Sequence, residues 1–193
     1  MRKIEGVLSG TLAFVFSEMR RGRPFSEAVA DARRRGYTEP DPRDDLGGRD
    51  VARKLLTLAR EAGFAAEPDA VAVASLVPPH LEDAPIGTFM QRLHDADADW
   101  AARHAALGDG ERLAYVGTVE ETEAGVRLSV GVRAIAPGDA LTVLDGTDSL
   151  VAFTTERYAR PLVVFGPGAG PDVTAAGVLA DIVHAALRMG ERL

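Results

Sequence analysis

Cysteine is absent from the 193 residues. That excludes a disulfide frame, a thiolate zinc site and a cysteine nucleophile. Histidine is scarce: His80, His94, His104 and His184 stand in no HxxxH or HExxH spacing, so no structural zinc is expected. Basic charge is in deficit, with 22 Lys and Arg against 29 Asp and Glu, a formal charge of −7. Phosphate backbones and anionic lipid need a basic face, so neither nucleic acid nor a membrane is an expected partner. No apolar run approaches the roughly 20 residues of a membrane span. The N-terminal MRKIEGVLSGTLAFVF faintly imitates a secretory leader, but Glu5 interrupts it, no small-residue cleavage site follows, and Glu18 closes it. A short strand leading into an amphipathic helix is the better reading, and the protein is expected to be cytoplasmic.

What is present suits one globular domain, with 46% hydrophobic and 26% charged residues. Ser9 to Arg20 reads as a helix broken by Gly22, Arg23 and Pro24. Ser26 is positioned to cap a second helix, Glu27 to Arg35, stopped by Gly36. Tyr37 to Gly48 packs two prolines and two glycines into twelve residues and reads as a loop. A third helix runs from Asp50 to Ala62, with Val51, Leu55, Leu58 and Ala59 as its buried stripe. Val71 to Val77 reads as a strand closed by Pro78-Pro79. Thr88 and Gln91 form a capping box opening a helix towards Ala106, whose Asp95, Asp97 and Asp99 make a solvated face. From Arg112 the period becomes two. Arg112–Glu120 and Val126–Ala136 make a hairpin, Leu150–Arg157 and Leu162–Phe165 are further strands, and a helix from Val173 to Met189 ends the chain. The order implies an α+β fold, a mixed or antiparallel sheet packed against helices.

Three constellations carry chemistry. Between Glu39 and Lys54 lie Asp41, Asp44, Asp45 and Asp50, interspersed with Arg43, Arg49 and Arg53. Asp50 and Lys54 stand four apart at a helix start and share a face. Three readings fit: a helix-opening ion pair, a Mg²⁺ site on Asp44, Asp45 and Asp50, or a site for a small zwitterion. In the last, carboxylates take an ammonium group and the lysine faces an oxygen that gains or loses a proton. Gly166-Pro-Gly-Ala-Gly170 joins a strand to a helix, as phosphate loops do. However, Pro171 stands where GxGxxG needs its third glycine, and only 23 residues follow Gly170. It reads either as a tight turn or as backbone that approaches a ligand held mainly elsewhere. Ser9-Gly10-Thr11 reads as a helix N-cap, or as a helix end that receives an anion.

The letters themselves go further. Gly36-Tyr-Thr-Glu-Pro-Asp-Pro-Arg-Asp-Asp-Leu-Gly-Gly-Arg-Asp-Val-Ala-Arg-Lys54 closely resembles the signature of homoserine dehydrogenases. Ile4-Glu-Gly-Val-Leu-Ser-Gly-Thr-Leu12 and Gly166-Pro-Gly-Ala-Gly-Pro-Asp-Val-Thr-Ala-Ala-Gly177 resemble that family in the same order. The resemblance implies interconversion of L-homoserine and L-aspartate 4-semialdehyde with NAD or NADP, in the aspartate pathway to threonine, methionine and isoleucine. It implies that Glu39, Asp45 and Asp50 bind substrate, that Asp50 also orients Lys54, and that Lys54 is the catalytic lysine. It further implies that Gly170 lies against the cofactor. A lysine beside a carboxylate stays charged near neutral pH and can protonate an aldehyde oxygen during reduction. In the oxidative direction it must first be neutral, so homoserine oxidation is expected to be favoured at alkaline pH.

The family places a Rossmann domain before these motifs, whereas Met1 stands six residues before Val7. The resemblance therefore implies that residues 1–193 are the catalytic domain of a larger enzyme, with the segment 166–190 packing towards the nucleotide-binding domain. That larger enzyme is either a separate dehydrogenase or one fused to an aspartokinase. A homodimer formed through the sheet is implied as well. The alternative is a stand-alone amino-acid-binding or regulatory module that has lost its redox half.

Overall fold

The computed structural model describes residues 1–168 and 171–190. Six strands form one open sheet in the order β2-β4-β3-β1-β5-β6. They are β1 (Lys3–Val7), β2 (Val71–Val73), β3 (Arg112–Thr122), β4 (Gly125–Ile135), β5 (Asp148–Thr154) and β6 (Leu162–Pro167). All neighbours pair antiparallel except β2, which runs parallel to β4. This is the α+β fold expected from the element order. β3 and β4 form a long hairpin, with Thr122 opposite Gly125 across a two-residue turn. β1 inserts between β3 and β5, placing Ile4 beside Val119 and Phe153.

Alternation along these strands sorts side chains onto two faces. Ile4, Tyr115, Val119, Leu128 and Val130 face the larger core. Against them pack α1 (Gly10–Arg20), α2 (Phe25–Arg34), α3 (Pro42–Leu46) and α4 (Arg49–Glu61). The opposite face carries a smaller cluster of Val7, Val116, Ile135, Leu150 and Ala152, covered by Leu141 of a 3₁₀ turn. Beyond lie α5 (Ile86–Arg92), α6 (Asp97–Ala105) and α7 (Pro171–Gly190).

Several sequence expectations change. The segment 37–48 holds a helix, α3, because Asp41 caps it by accepting from the Arg43 N–H at 3.0 Å and Pro42 takes the first helical position. Leu56, more than Leu58, completes the buried stripe of α4. The strand at 71–77 stops at Val73; the chain then turns beneath α3, where the Leu76 N–H donates to the Leu46 carbonyl at 2.9 Å. α2 begins at Phe25 after Pro24, so Ser26 lies inside it, and its N–H and hydroxyl both donate to Asp97. Asp97 is therefore a helix–helix clamp, and Asp95 is held by Arg92; neither belongs to a merely solvated face. The capping box at Thr88 is not made, since Pro85 starts that helix earlier. Burial of Phe89 and Leu93 then divides the stretch into α5, a 3₁₀ turn and α6. β5 also begins and ends earlier than its apolar letters suggest.

One expectation about membranes is also corrected. Residues 172–190 of α7 are long and apolar enough, by length and composition, to cross a membrane. Asp181 and His184 sit within the run, and a centrally placed acid costs about 2.5–3.5 kcal/mol in a bilayer. An amphipathic docking helix fits this composition better than a span.

Candidate active site

The site is assembled by three helix starts. Ser9 caps α1, its hydroxyl oxygen accepting from the Leu12 N–H at 3.2 Å. Two residues on, the buried Thr11 hydroxyl donates to the Tyr37 carbonyl at 2.5 Å. The beginning of α1 is thus tied to the start of the 37–45 segment. Asp45 accepts from the backbone N–H of Glu39 at 2.8 Å, which folds the segment back on itself. Partial burial pushes the Asp45 carboxyl above its ordinary range, and Glu39 and Asp44 push the same way; the Glu39 N–H and the Thr11 hydroxyl only partly offset them. Glu39 is exposed, and among the described residues its carboxylate has no ion-pair partner. Two acids close together, one partly desolvated, make a place that an ammonium group would relieve.

Across the same helix start lies the lysine. Lys54 Nζ stands 2.7 Å from Asp50 Oδ2 and donates to the Leu8 carbonyl at 3.1 Å. The i,i+4 spacing on α4 accounts for the first contact. The second depends on α4 packing beside the end of β1, and no sequence pattern announces a backbone acceptor. Both side chains are half exposed, 52% for Lys54 and 49% for Asp50. The ammonium is therefore oriented from one side and open on the other.

The structure accordingly separates the acids that spacing alone could have grouped. Asp45 turns to Glu39, Asp50 turns to Lys54, and the exposed Asp44 lines a separate polar cleft with Arg43 and Arg49. No three His, Asp or Glu side chains converge as a metal site among the described residues. A Mg²⁺ site on Asp44, Asp45 and Asp50 is not formed. The ion pair and the zwitterion site prove compatible, since the paired lysine keeps an open face. Gly170 lies outside the described residues.

Arg43, one charge among several in the sequence, holds the site's outer wall. Its guanidinium forks onto Asp41 and donates to the carbonyls of Glu82 and Ala84, both at 2.7 Å. The roles of Thr11 and of the Leu8 carbonyl depend on packing that no local pattern marks.

Comparison with known proteins follows this geometry. The family model for homoserine dehydrogenase matches residues 1–183. A bifunctional aspartokinase/homoserine dehydrogenase 1 of Zea mays is 46% identical over 191 residues, 97% of this chain and 20% of that protein. A homoserine dehydrogenase of Emericella nidulans is 44% identical over 204 residues, 99% of this chain and 54% of that protein. A crystal structure of a Candida auris protein described as of unknown function is 44% identical and superposes with a TM-score of 0.89, over 97% of this chain and 54% of that one. The chain thus spans between a fifth and about half of the length of these relatives. With the signature segment, the lysine–carboxylate pair and the sheet in agreement, the chain belongs to the homoserine dehydrogenase family.

Proposed function

We propose that this chain is the substrate-binding and catalytic portion of an oxidoreductase that interconverts L-homoserine and L-aspartate 4-semialdehyde. The observation that carries the reading is Lys54 Nζ, held by Asp50 and the Leu8 carbonyl with one face open. Glu39 and Asp45 take the substrate ammonium, and Asp50 shares substrate binding while orienting the lysine. During reduction Lys54 donates a proton to the aldehyde oxygen as the C4 carbon gains hydride. During oxidation it accepts the hydroxyl proton as C4 loses hydride. NAD or NADP supplies or takes up that hydride when bound. The resemblance assigns Gly170, between β6 and α7 in the sequence, to lie along the cofactor.

The larger assembly belongs to the same proposal. A nucleotide-binding domain in cis would seat on β6 and α7, which expose Val164, Phe165, Leu179 and Ile182 at 53–62%. A homodimer formed through the sheet rests on the resemblance.

Calorimetry of L-homoserine on the chain beside Glu39→Ala tests the binding half. Binding lost in the variant supports the assignment; equal binding by both proteins removes Glu39 from the site. In the intact enzyme, oxidation should rise from neutral to alkaline pH, and a flat profile removes Lys54 from its role.

A further inference from the structure

Tyr115 lies on β3, at the heart of the sheet and distant in sequence from the signature segment, and is 2% exposed. Its hydroxyl donates to the Ala74 carbonyl at 2.8 Å, and Ala74 is itself tied to β4 by its N–H to the Val130 carbonyl. Burial pushes the phenol up to about 12, so it remains a donor throughout the working pH range. The other side of that hydroxyl meets Gly48. A Cβ placed on Gly48 would fall on the hydroxyl oxygen and lie 3.0 Å from Cζ and 3.2 Å from Val73 Cγ1. Gly48 also has φ +72°, a left-handed conformation that glycine adopts without cost.

Gly48 is the joint between the two halves of the site. Its N–H donates to the Asp45 carbonyl at 3.1 Å, and its carbonyl accepts from Ala52 at 3.0 Å as the first helical bond of α4. We propose that Tyr115 is a positioning residue for the reacting lysine: its hydroxyl, pinned by Ala74, is the stop on which Gly48 seats. That seat sets the first turn of α4, where Asp50 and Lys54 stand, relative to Asp45. The consequence for turnover rests on the dehydrogenase reading; the effect on the lysine's surroundings does not.

Lys3 and Lys54 are the two lysines of the chain, which permits a direct test. Reductive ¹³C-methylation keeps their charge and yields one resonance for each lysine besides that of the N-terminal amine. In Tyr115→Phe the Lys54 methyl resonance should shift, while that of Lys3, paired with Glu5 at 2.8 Å, stays in place. In the intact enzyme the same variant should lose about 10-fold in kcat with KM for homoserine nearly unchanged. Gly48→Ala should be more damaging in the native background than in that of Tyr115→Phe, where the clashing oxygen is gone. A lowered melting temperature with an unmoved Lys54 resonance, or equal damage from Gly48→Ala in both backgrounds, overturns the proposal. A shifted resonance in a protein whose native form does not oxidise homoserine supports the positioning role and refutes the dehydrogenase reading.

Discussion

At the scale of single residues, this acidic chain places its arginines where they neutralise buried acids. Asp31 is only 3% exposed on α2 and accepts from Arg23 at 2.7 Å, Arg34 at 2.5 Å and Arg35 at 3.2 Å. Arg23 and then Arg35 hold its carboxyl far below the ordinary range, outweighing the effect of burial. A depressed carboxylate stabilises the fold fully above its unfolded pKa of about 3.9, and that contribution is lost as pH falls towards the folded value. Asp31→Asn should therefore melt at a lower temperature than the native protein at pH 7. The gap should close as pH falls below about 4, a trend that calorimetric scans across pH will check. Asp45 has the opposite sign: its raised carboxyl costs stability when ionised, as expected of an acid kept for a cationic ligand.

At the scale of elements, the decisive one is the shortest of the α-helices. α3 has five residues, too few to stand on its own hydrogen bonds. It exists because Asp41 caps it, Pro42 starts it, and Arg43 ties it to the turn at 82–84. Proline here begins a helix instead of forbidding one. Asp41→Ala should cost about 1 kcal/mol of stability from the cap alone, measured by denaturant unfolding. It should also weaken homoserine binding, because Asp45 rides on α3. Replacing Asp44, exposed on the same helix, should leave homoserine affinity unchanged and serves as the control.

At the scale of the whole molecule, one end of the sheet is left uncovered. Among the described residues β6 pairs only with β5, and the described side chains of α7 are exposed, among them Leu179, Ile182 and Leu187 at 59–62%. Exposed apolar area of this extent marks a docking face. Replacing Leu179 and Ile182 with serine should reduce binding of a hydrophobic dye by the isolated chain. In the intact enzyme the same pair should weaken nicotinamide dinucleotide binding while sparing homoserine affinity. Unchanged dinucleotide binding would place the partner domain elsewhere.

Relations between near neighbours in the chain were legible in the letters. Helix periodicity located α1 and α4, and the Gly36 stop marked the end of α2; two-residue alternation located the β3–β4 hairpin; and the i,i+4 spacing paired Asp50 with Lys54, because neighbouring dihedrals set those relations. The signature residues identified the family for the same reason, being contiguous in the chain. Tertiary structure decided what depends on distant segments. Among these are the turn of the chain beneath α3 after Val73, the diversion of Ser26 to Asp97, and the Leu8 carbonyl on Lys54. Tyr115 reaching Gly48 across 67 residues is of the same kind. Such contacts form only when packing brings the surfaces together, and a backbone carbonyl or a buried phenol carries no mark of its partner in the letters around it.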